Sequence, residues 1–295
     1  MKDFSPSSSI HRLACLTAVS AFVLLIAGGL VTSTGSGLAV PDWPLSYGQF
    51  FPKMAGGVFF EHGHRLIAGA VGLLTFALAA WIWLREPRRW VRNAALAAAG
   101  GIVLQALLGG ITVLYRLPPQ VSISHACLGQ AVFCLLVALA QATSPGYARL
   151  CAPVSGPRLR TLGAVLAAAV YVQLILGAVL RHTGEGLNWH LLGALGVAAV
   201  LLWTSYQVFS APSLPEGLVR PVALMTGLLF LQIMLGTATF ILLLPAGASH
   251  RILRAAIPTL HVAAGAMILA AAVAWTLRAH QAQAAAIPEP VRLDA

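Results

Sequence analysis

Eight long apolar runs, separated by short polar or glycine- and proline-bearing segments, organise the chain. They cover residues 12–33, 64–84, 92–114, 122–143, 160–180, 189–210, 219–244 and 257–278. A helix needs about 20 mostly apolar residues to cross a bilayer, and each run is of that order. The runs are rich in Ala and Leu and do not alternate apolar with polar positions, which argues against membrane β-strands. The pattern therefore predicts an all-α membrane protein with eight transmembrane helices. The first run follows a short basic segment, as a signal peptide would. It is too long for a typical signal core and has no clear cleavage site before Thr32, so it reads as a retained span. The longest polar interruption runs from about Thr34 to His62 and holds Pro41, Asp42, Trp43, Pro44 and several glycines. It is expected to fold over one membrane face as a small cap.

Charge sharpens this picture. Hydrophobic residues make up 59% of the chain and charged ones 9%, against about 25% charged in an ordinary soluble domain. That balance excludes a soluble enzyme and a disordered chain. A net charge of +10 would suit nucleic acid if it lay on one wetted face, but the bases sit in small clusters between apolar runs. Membrane lipid, and no nucleic acid, is the partner this implies. One set of ends and loops holds Lys2, Arg12, Arg85, Arg88, Arg89, Arg92, Arg149, Arg158, Arg160, Arg220, Arg278 and Arg292. The other holds Lys53, Arg65, Arg116, Arg181, Arg251 and Arg254. The positive-inside bias places the richer set, and with it both the N and C termini, in the cytoplasm of a multi-pass cell-membrane protein. Cys15, Cys127, Cys134 and Cys151 include no outer-loop residue and no short-spaced pair, so neither a structural disulfide nor a zinc site is expected.

The chain also repeats itself. Residues 25–38 read LIAGGLVTSTGSGL and residues 174–187 read LILGAVLRHTGEGL. Both close an odd-numbered run on the same side, which predicts two pseudo-symmetric four-helix bundles, residues 1–148 and 149–295, in a parallel repeat. A finer element recurs inside the halves. Gln105 and Gly109, Gln173 and Gly177, and Gln232 and Gly236 each form Gln-x-x-x-Gly, while the first run has Leu24 and Gly28 at the matching place. Each odd run is followed by a histidine at the outer start of the next even run: His64, His125, His190 and His261.

Ionisable groups inside spans are costly and usually functional, and neutral imidazole is a common metal ligand. Four residues beyond the histidines stand Ala68, Gly129, Ala194 and Gly265, one turn on along the same face. Small residues there leave clearance for a flat macrocycle held by an axial histidine, and haem iron takes such ligands readily. The expected pairs are His64 with His125 and His190 with His261, near the outer surface. A single interfacial histidine would more simply hydrogen-bond in the headgroup region; four in register argue against that. His11, His62, His182, His250 and His280 lack the register and are expected to be mostly solvated. The Gln-x-x-x-Gly elements are expected chiefly to serve helix packing. Arg65, Arg116, Arg181, Arg251 and Arg254 gather on the outer side, where guanidinium groups can pair with haem propionates; Arg65, Arg181, Arg251 and Arg254 are the candidate propionate partners. Glu61 lies three residues before His64 on one helical face, whereas the aligned residue of the second half is Leu187. A carboxylate beside one site alone can take up a proton or stabilise a cationic intermediate. The first half is therefore expected to do chemistry and the second to carry electrons or give support.

Thr34-Gly-Ser-Gly-Leu38, Pro41-Asp-Trp-Pro44 and Glu61-His-Gly-His-Arg65, with the later histidines and the eight-span plan, closely resemble the haem A synthase family over roughly residues 12–280. The resemblance implies oxidation of the haem O methyl group to a formyl group through hydroxylated intermediates, giving haem A for haem-copper oxidases. It implies haem b held by His190 and His261, the haem O substrate held by His64 and His125, and Glu61 in the chemistry. It makes haem O synthase and haem-copper oxidase natural partner candidates, and leaves the oligomeric state open. Many relatives carry a cysteine pair in the first outer loop; here Val40 and Ser46 stand in that stretch, so a thiol step is not expected. Competing expectations are a diheme b-type electron-transfer cytochrome, against which Glu61 in one half counts, and a transporter or assembly factor, which would place charges near the bilayer midplane. Haem O synthase itself is set aside because no paired Asp motif for magnesium is present.

Overall fold

The computed structural model describes residues 8–147, 158–211, 214–243 and 250–284. They form eight helices: α1 (Ser8–Ser33), α2 (Gly57–Arg85), α3 (Arg89–Leu114), α4 (Pro119–Ala142), α5 (Leu159–Thr183), α6 (Leu187–Phe209), α7 (Glu216–Leu243) and α8 (Arg251–Ala284). All eight are long and apolar enough to span a membrane, and among the described residues there is no strand, only an isolated bridge between Ser46 and Gln49. The chain is a multi-pass, all-helical membrane protein. Each helix corresponds to one expected run. Helix α2 begins earlier than its apolar pattern, because Glu61 and His62 are both buried and hydrogen-bonded and so need not leave the helix. Helix α4 opens on Pro119, whose missing N–H costs nothing in the first turn. Helix α8 runs through Pro258, so the apolar pattern understates its start.

Each helix packs against the next one in the chain. Among the first four helices, α1 packs on α2 and α4, and α3 on α2 and α4, which closes a ring. Helices α5 to α8 close a second ring in the same order. The rings meet through α1 against α8, α4 against α5 and α4 against α8. Helices α8 and α4 are accordingly the most enclosed of the eight spans. Small residues set the close approaches, as expected where lipid gives no hydrophobic drive between helices. A methyl placed on Gly101 would meet Val132 at 2.6 Å, and one on Gly163 would meet Thr276 at 2.6 Å. Trp275 is fully buried and its indole N–H donates to the Leu218 carbonyl at 2.9 Å. Large apolar side chains such as Leu73, Leu84, Leu195, Phe230 and Met234 face outwards, where acyl chains take the place of a protein core.

The repeated Thr-Gly-x-Gly-Leu segments end α1 and α5 alike. Thr34 Oγ1 donates to the Leu30 carbonyl and Thr183 Oγ1 to the Val179 carbonyl. Gly35 and Gly184 then adopt left-handed backbone, φ 67° and 77°, the usual glycine helix stop. The connections beyond these two stops differ in length. Gly184, Glu185 and Gly186 alone connect α5 to α6, whereas residues 34–56 form a loop between α1 and α2.

Candidate functional site

The four histidines sit in four equivalent helix crossings. An ideal Cβ on Gly28 would lie 3.0 Å from Cε1 of His64; the corresponding distances are 3.4 Å from Gly109 to His125, 3.0 Å from Gly177 to His190 and 3.0 Å from Gly236 to His261. Each imidazole of an even helix thus lies directly on a glycine of the preceding odd helix. The glutamines explain the rest of the repeat. Gln105 Nε2 donates to the His125 carbonyl at 2.9 Å, and Gln173 Nε2 to the His190 carbonyl at 2.9 Å. Gln232 Nε2 stands 3.4 Å from His261 Nε2, and the Gln232 carbonyl 3.2 Å from His261 Nδ1. The Gln-x-x-x-Gly element is therefore a saddle for a histidine, with glycine under the ring and glutamine against its residue. This corrects the clearance expected at Gly129 and Gly265. Methyls there would meet Gln105 and Gln232 side chains at 2.8 and 3.2 Å, so the amides occupy those spaces. In α6 the space under Gln173 is at Gly193, 2.2 Å from Oε1, and not at Ala194.

The histidines pair across each ring. His190 and His261 have ring centres 6.3 Å apart at 72°, and His64 and His125 are near enough to interact electrostatically. An arginine accompanies each pair, Arg65 beside His64 and Arg181 beside His261. Among the described residues no three of His, Cys, Asp or Glu converge as a metal cage. Two imidazoles per site instead suit a metal that brings its own equatorial ligands, as haem iron does. Buried polar atoms without a protein partner gather at the same places, namely Nδ1 of His64 and His125 and Oε1 of Gln105, Gln173 and Gln232. The residues present fit haem in both rings.

The first ring carries additional parts. Glu61 is 4% exposed. Its Oε2 accepts from the Val40 N–H at 2.8 Å and its Oε1 from Arg65 at 2.7 Å. Arg65 also donates to the carbonyls of Asp42 and Leu45, both at 2.7 Å. Ser46 is fully buried and contacts His62 Nδ1 at 2.8 Å. Glu61, His62 and Arg65 thereby fix the loop of residues 34–56 to α2. Glu61 stands one turn inside the helix, so the macrodipole of the first turn does not explain it. The loop reaches across the ring as well: its Trp43 indole packs on Gly110 of α3, where a Cβ would lie 2.9 Å from the ring. Gly110 is next to Gly109, the glycine under His125. Asp42 accepts from the Tyr47 and Gly48 N–H groups at 2.7 and 2.8 Å. The Gly48 N–H, with Tyr47 and the Arg65 charge, holds the Asp42 carboxyl below the usual carboxylate range, against a smaller cost of desolvation.

Two expected bystanders are not solvated. His62 is buried against Ser46, and His11 is half-buried with Nδ1 2.9 Å from the Ala140 carbonyl. Both have partners on distant segments that no local pattern shows. His182 is half-buried, while His250 and His280 are exposed. Arg181 donates to the Gly29 carbonyl at 2.8 Å and to Ser33 Oγ at 2.7 Å. Arg254 Nε donates to the Leu242 carbonyl at 2.8 Å, and Arg251 is exposed. Cys15, Cys127 and Cys134 are free thiols; Cys151 lies outside the described residues. The residues missed by sequence reasoning are Trp43 and Gly110, whose contact depends on the path of the loop.

The pattern of a family described as cytochrome oxidase assembly protein, COX15-CtaA, matches residues 55–189. The chain is 28% identical over 187 residues to a protein of Bacillus licheniformis named Heme A synthase, a match covering 61% of each chain. It is 32% identical over 184 residues to one of that name from Shouchella clausii, covering 60% of this chain and 61% of the relative. A third of that name, from Symbiobacterium thermophilum, is 29% identical over 255 residues, 73% of this chain and 83% of the relative. The chain thus spans under two thirds of the Bacillus and Shouchella relatives.

Proposed function

We propose that the chain belongs to the family of cytochrome oxidase assembly proteins whose pattern it matches, and that it acts as a haem A synthase. In this reading it takes haem O as substrate and oxidises one methyl group to a formyl group by way of hydroxylated intermediates. His64 and His125 hold the substrate, and His190 and His261 hold haem b, which when bound supplies one-electron redox chemistry. The single observation that carries the division of labour is the asymmetry between the rings. Beside His64 stand a buried carboxylate and a loop anchored over the site, while the second ring has Gly184, Glu185 and Gly186 in that place.

Each residue has a role set by its surroundings. The loop excludes water from the first site through Trp43 on α3 and through Arg65, whose donors grip the Asp42 and Leu45 carbonyls. Glu61, paired with Arg65, offers negative charge where a proton is accepted or a cation develops. Arg65, Arg181, Arg251 and Arg254 remain the candidate propionate partners, with Arg181 near enough to His261 to act on it electrostatically. The sites lie near the outer membrane face, and both termini lie in the cytoplasm, on the distribution of Arg and Lys between the two sides. Haem O synthase and a haem-copper oxidase are the proteins expected to deliver substrate and receive product.

Extraction of the pigments from purified protein, followed by chromatography, tests this reading. Haem B together with haem O or haem A is the expected result. Replacing His64 or His125 should remove the O- or A-type haem, and replacing His190 or His261 the B-type. Haem B alone at two per chain would mean an electron-transfer cytochrome and would overturn the proposal.

A further inference from the structure

The loop of residues 34–56 has an inside of its own. Val40 and Ser46 are fully buried, and Pro52 is buried as well. Ser46 and Gln49 exchange backbone hydrogen bonds, both at 3.0 Å. Between them Tyr47 and Gly48 take φ 53° and 69°, as in the two-residue turn of a hairpin. With the bonds from Glu61, His62 and Arg65, the segment is a folded element fixed to α2. Its largest apolar side chains nevertheless point outwards. Phe50, directly after the turn, is 74% exposed and Phe51 82%. Lys53 beside them is exposed too.

Phenylalanine is ordinarily turned inwards, and an outward apolar patch marks a contact with lipid or with another protein. The adjoining helix selects lipid. The Met54 methyl lies 4.0 Å from where a Cβ on Gly63 of α2 would stand. Gly63 is four residues after Phe59 and three before Leu66, so all three share one helical face. Phe59, Leu66 and Leu73 recur every seven residues along that face, and all are exposed on a helix long and apolar enough to cross a membrane. The apolar end of the loop therefore runs onto the stripe that α2 turns to the acyl chains. Phenylalanine next to a lysine is also the composition of segments that lie in the membrane interface. We propose that Phe50 and Phe51 insert into the lipid interface at the histidine end of the bundle. The loop beside the first site is then held by α2 on one side and by lipid on the other. Lifting it requires withdrawing two phenyl rings from lipid as well as breaking the bonds to Glu61, His62 and Arg65. The inference does not depend on the assignment of haem to the histidine pairs.

The test uses the full chain in phosphatidylcholine vesicles, with a nitroxide spin label on Phe50→Cys or Phe51→Cys. The unsubstituted chain treated with the same label gives the background from native thiols. Spin relaxation by oxygen, which concentrates among acyl chains, is compared with relaxation by a water-soluble nickel chelate. Glu185→Cys, in the exposed connection between α5 and α6, supplies the aqueous reference. Oxygen should dominate at positions 50 and 51, the reverse of the order at position 185. Two positions keep the test decisive where one variant fails to accumulate. Dominance of the chelate at 50 and 51 overturns the inference. Shielding from both probes also overturns it, since that would place the rings against another copy of the chain.

Discussion

At Gly177 and Gly236 a single added methyl would lie 3.0 Å from an imidazole carbon, and at Gly109 it would lie 3.4 Å away. The first distance forces the ring to move; the second needs only slight relaxation. Overpacking of this kind costs about 1–3 kcal/mol, and here the displaced group is a proposed iron ligand. Gly177→Ala and Gly236→Ala should therefore lower haem content markedly, and Gly109→Ala much less, measured as haem per chain. Equal losses at all three would show that the contact does not set ligand position. Glu61 poses a sharper question, because its carboxylate anchors the loop and its residue stands three positions before the proposed substrate ligand His64. Glu61→Gln keeps an oxygen for the Val40 N–H but leaves the Arg65 guanidinium without its ion-pair partner. The expected outcome is retained haem with turnover lowered by at least about tenfold, the lower end of what general acid–base groups contribute being roughly a hundredfold. Normal turnover at normal haem content would leave Glu61 a structural anchor.

Among the elements, the loop of residues 34–56 is the one whose stability should respond to pH. Asp42 is half-buried, and its carboxyl titrates below the ordinary range because the Gly48 and Tyr47 N–H groups and Arg65 favour the charged form. A depressed folded value means that the bonds stabilise the loop fully above the unfolded value of about 3.9. That contribution is lost as pH falls through the lower folded value. Cleavage of the loop by an acid-tolerant protease should thus stay slow down to mildly acidic pH and rise below it. In Asp42→Asn the rise should vanish. The same loop shows where sequence reading stops. The eight helices were legible because lipid imposes length and composition on each span, and the histidine register was legible because i to i+4 spacing is local. Trp43 on Gly110, His62 on Ser46 and the glutamine over Gly129 were not, since each depends on how separate segments cross. Glu61 was legible as an asymmetry with Leu187, but its link to Val40 was not.

In the whole molecule, polar bonds join the two rings inside an otherwise apolar interface. Tyr171 donates to the Cys127 carbonyl at 3.3 Å and Gln141 to the Ala274 carbonyl at 2.8 Å. At the histidine end Arg181 of α5 reaches Gly29 and Ser33 of α1, and Ser33 meets Thr259 of α8 at 2.9 Å. Arg181 stands beside His261 as well, so one cation touches the interface and the second proposed site together. If each ring is a unit, segments 1–148 and 149–295 produced as separate chains should assemble and purify together with haem. A charged hydrogen bond is worth about 1.5–3 kcal/mol, so Arg181→Leu should weaken that assembly at least about tenfold. In the intact chain the covalent link holds the rings at high effective concentration, and the same substitution should leave the rings associated while perturbing the spectrum of the haem at His190 and His261. Co-purification of the two segments with and without Arg181→Leu measures this directly. Segments that never associate would show that the eight helices fold as one body, with the repeat surviving in their packing order but not in their autonomy.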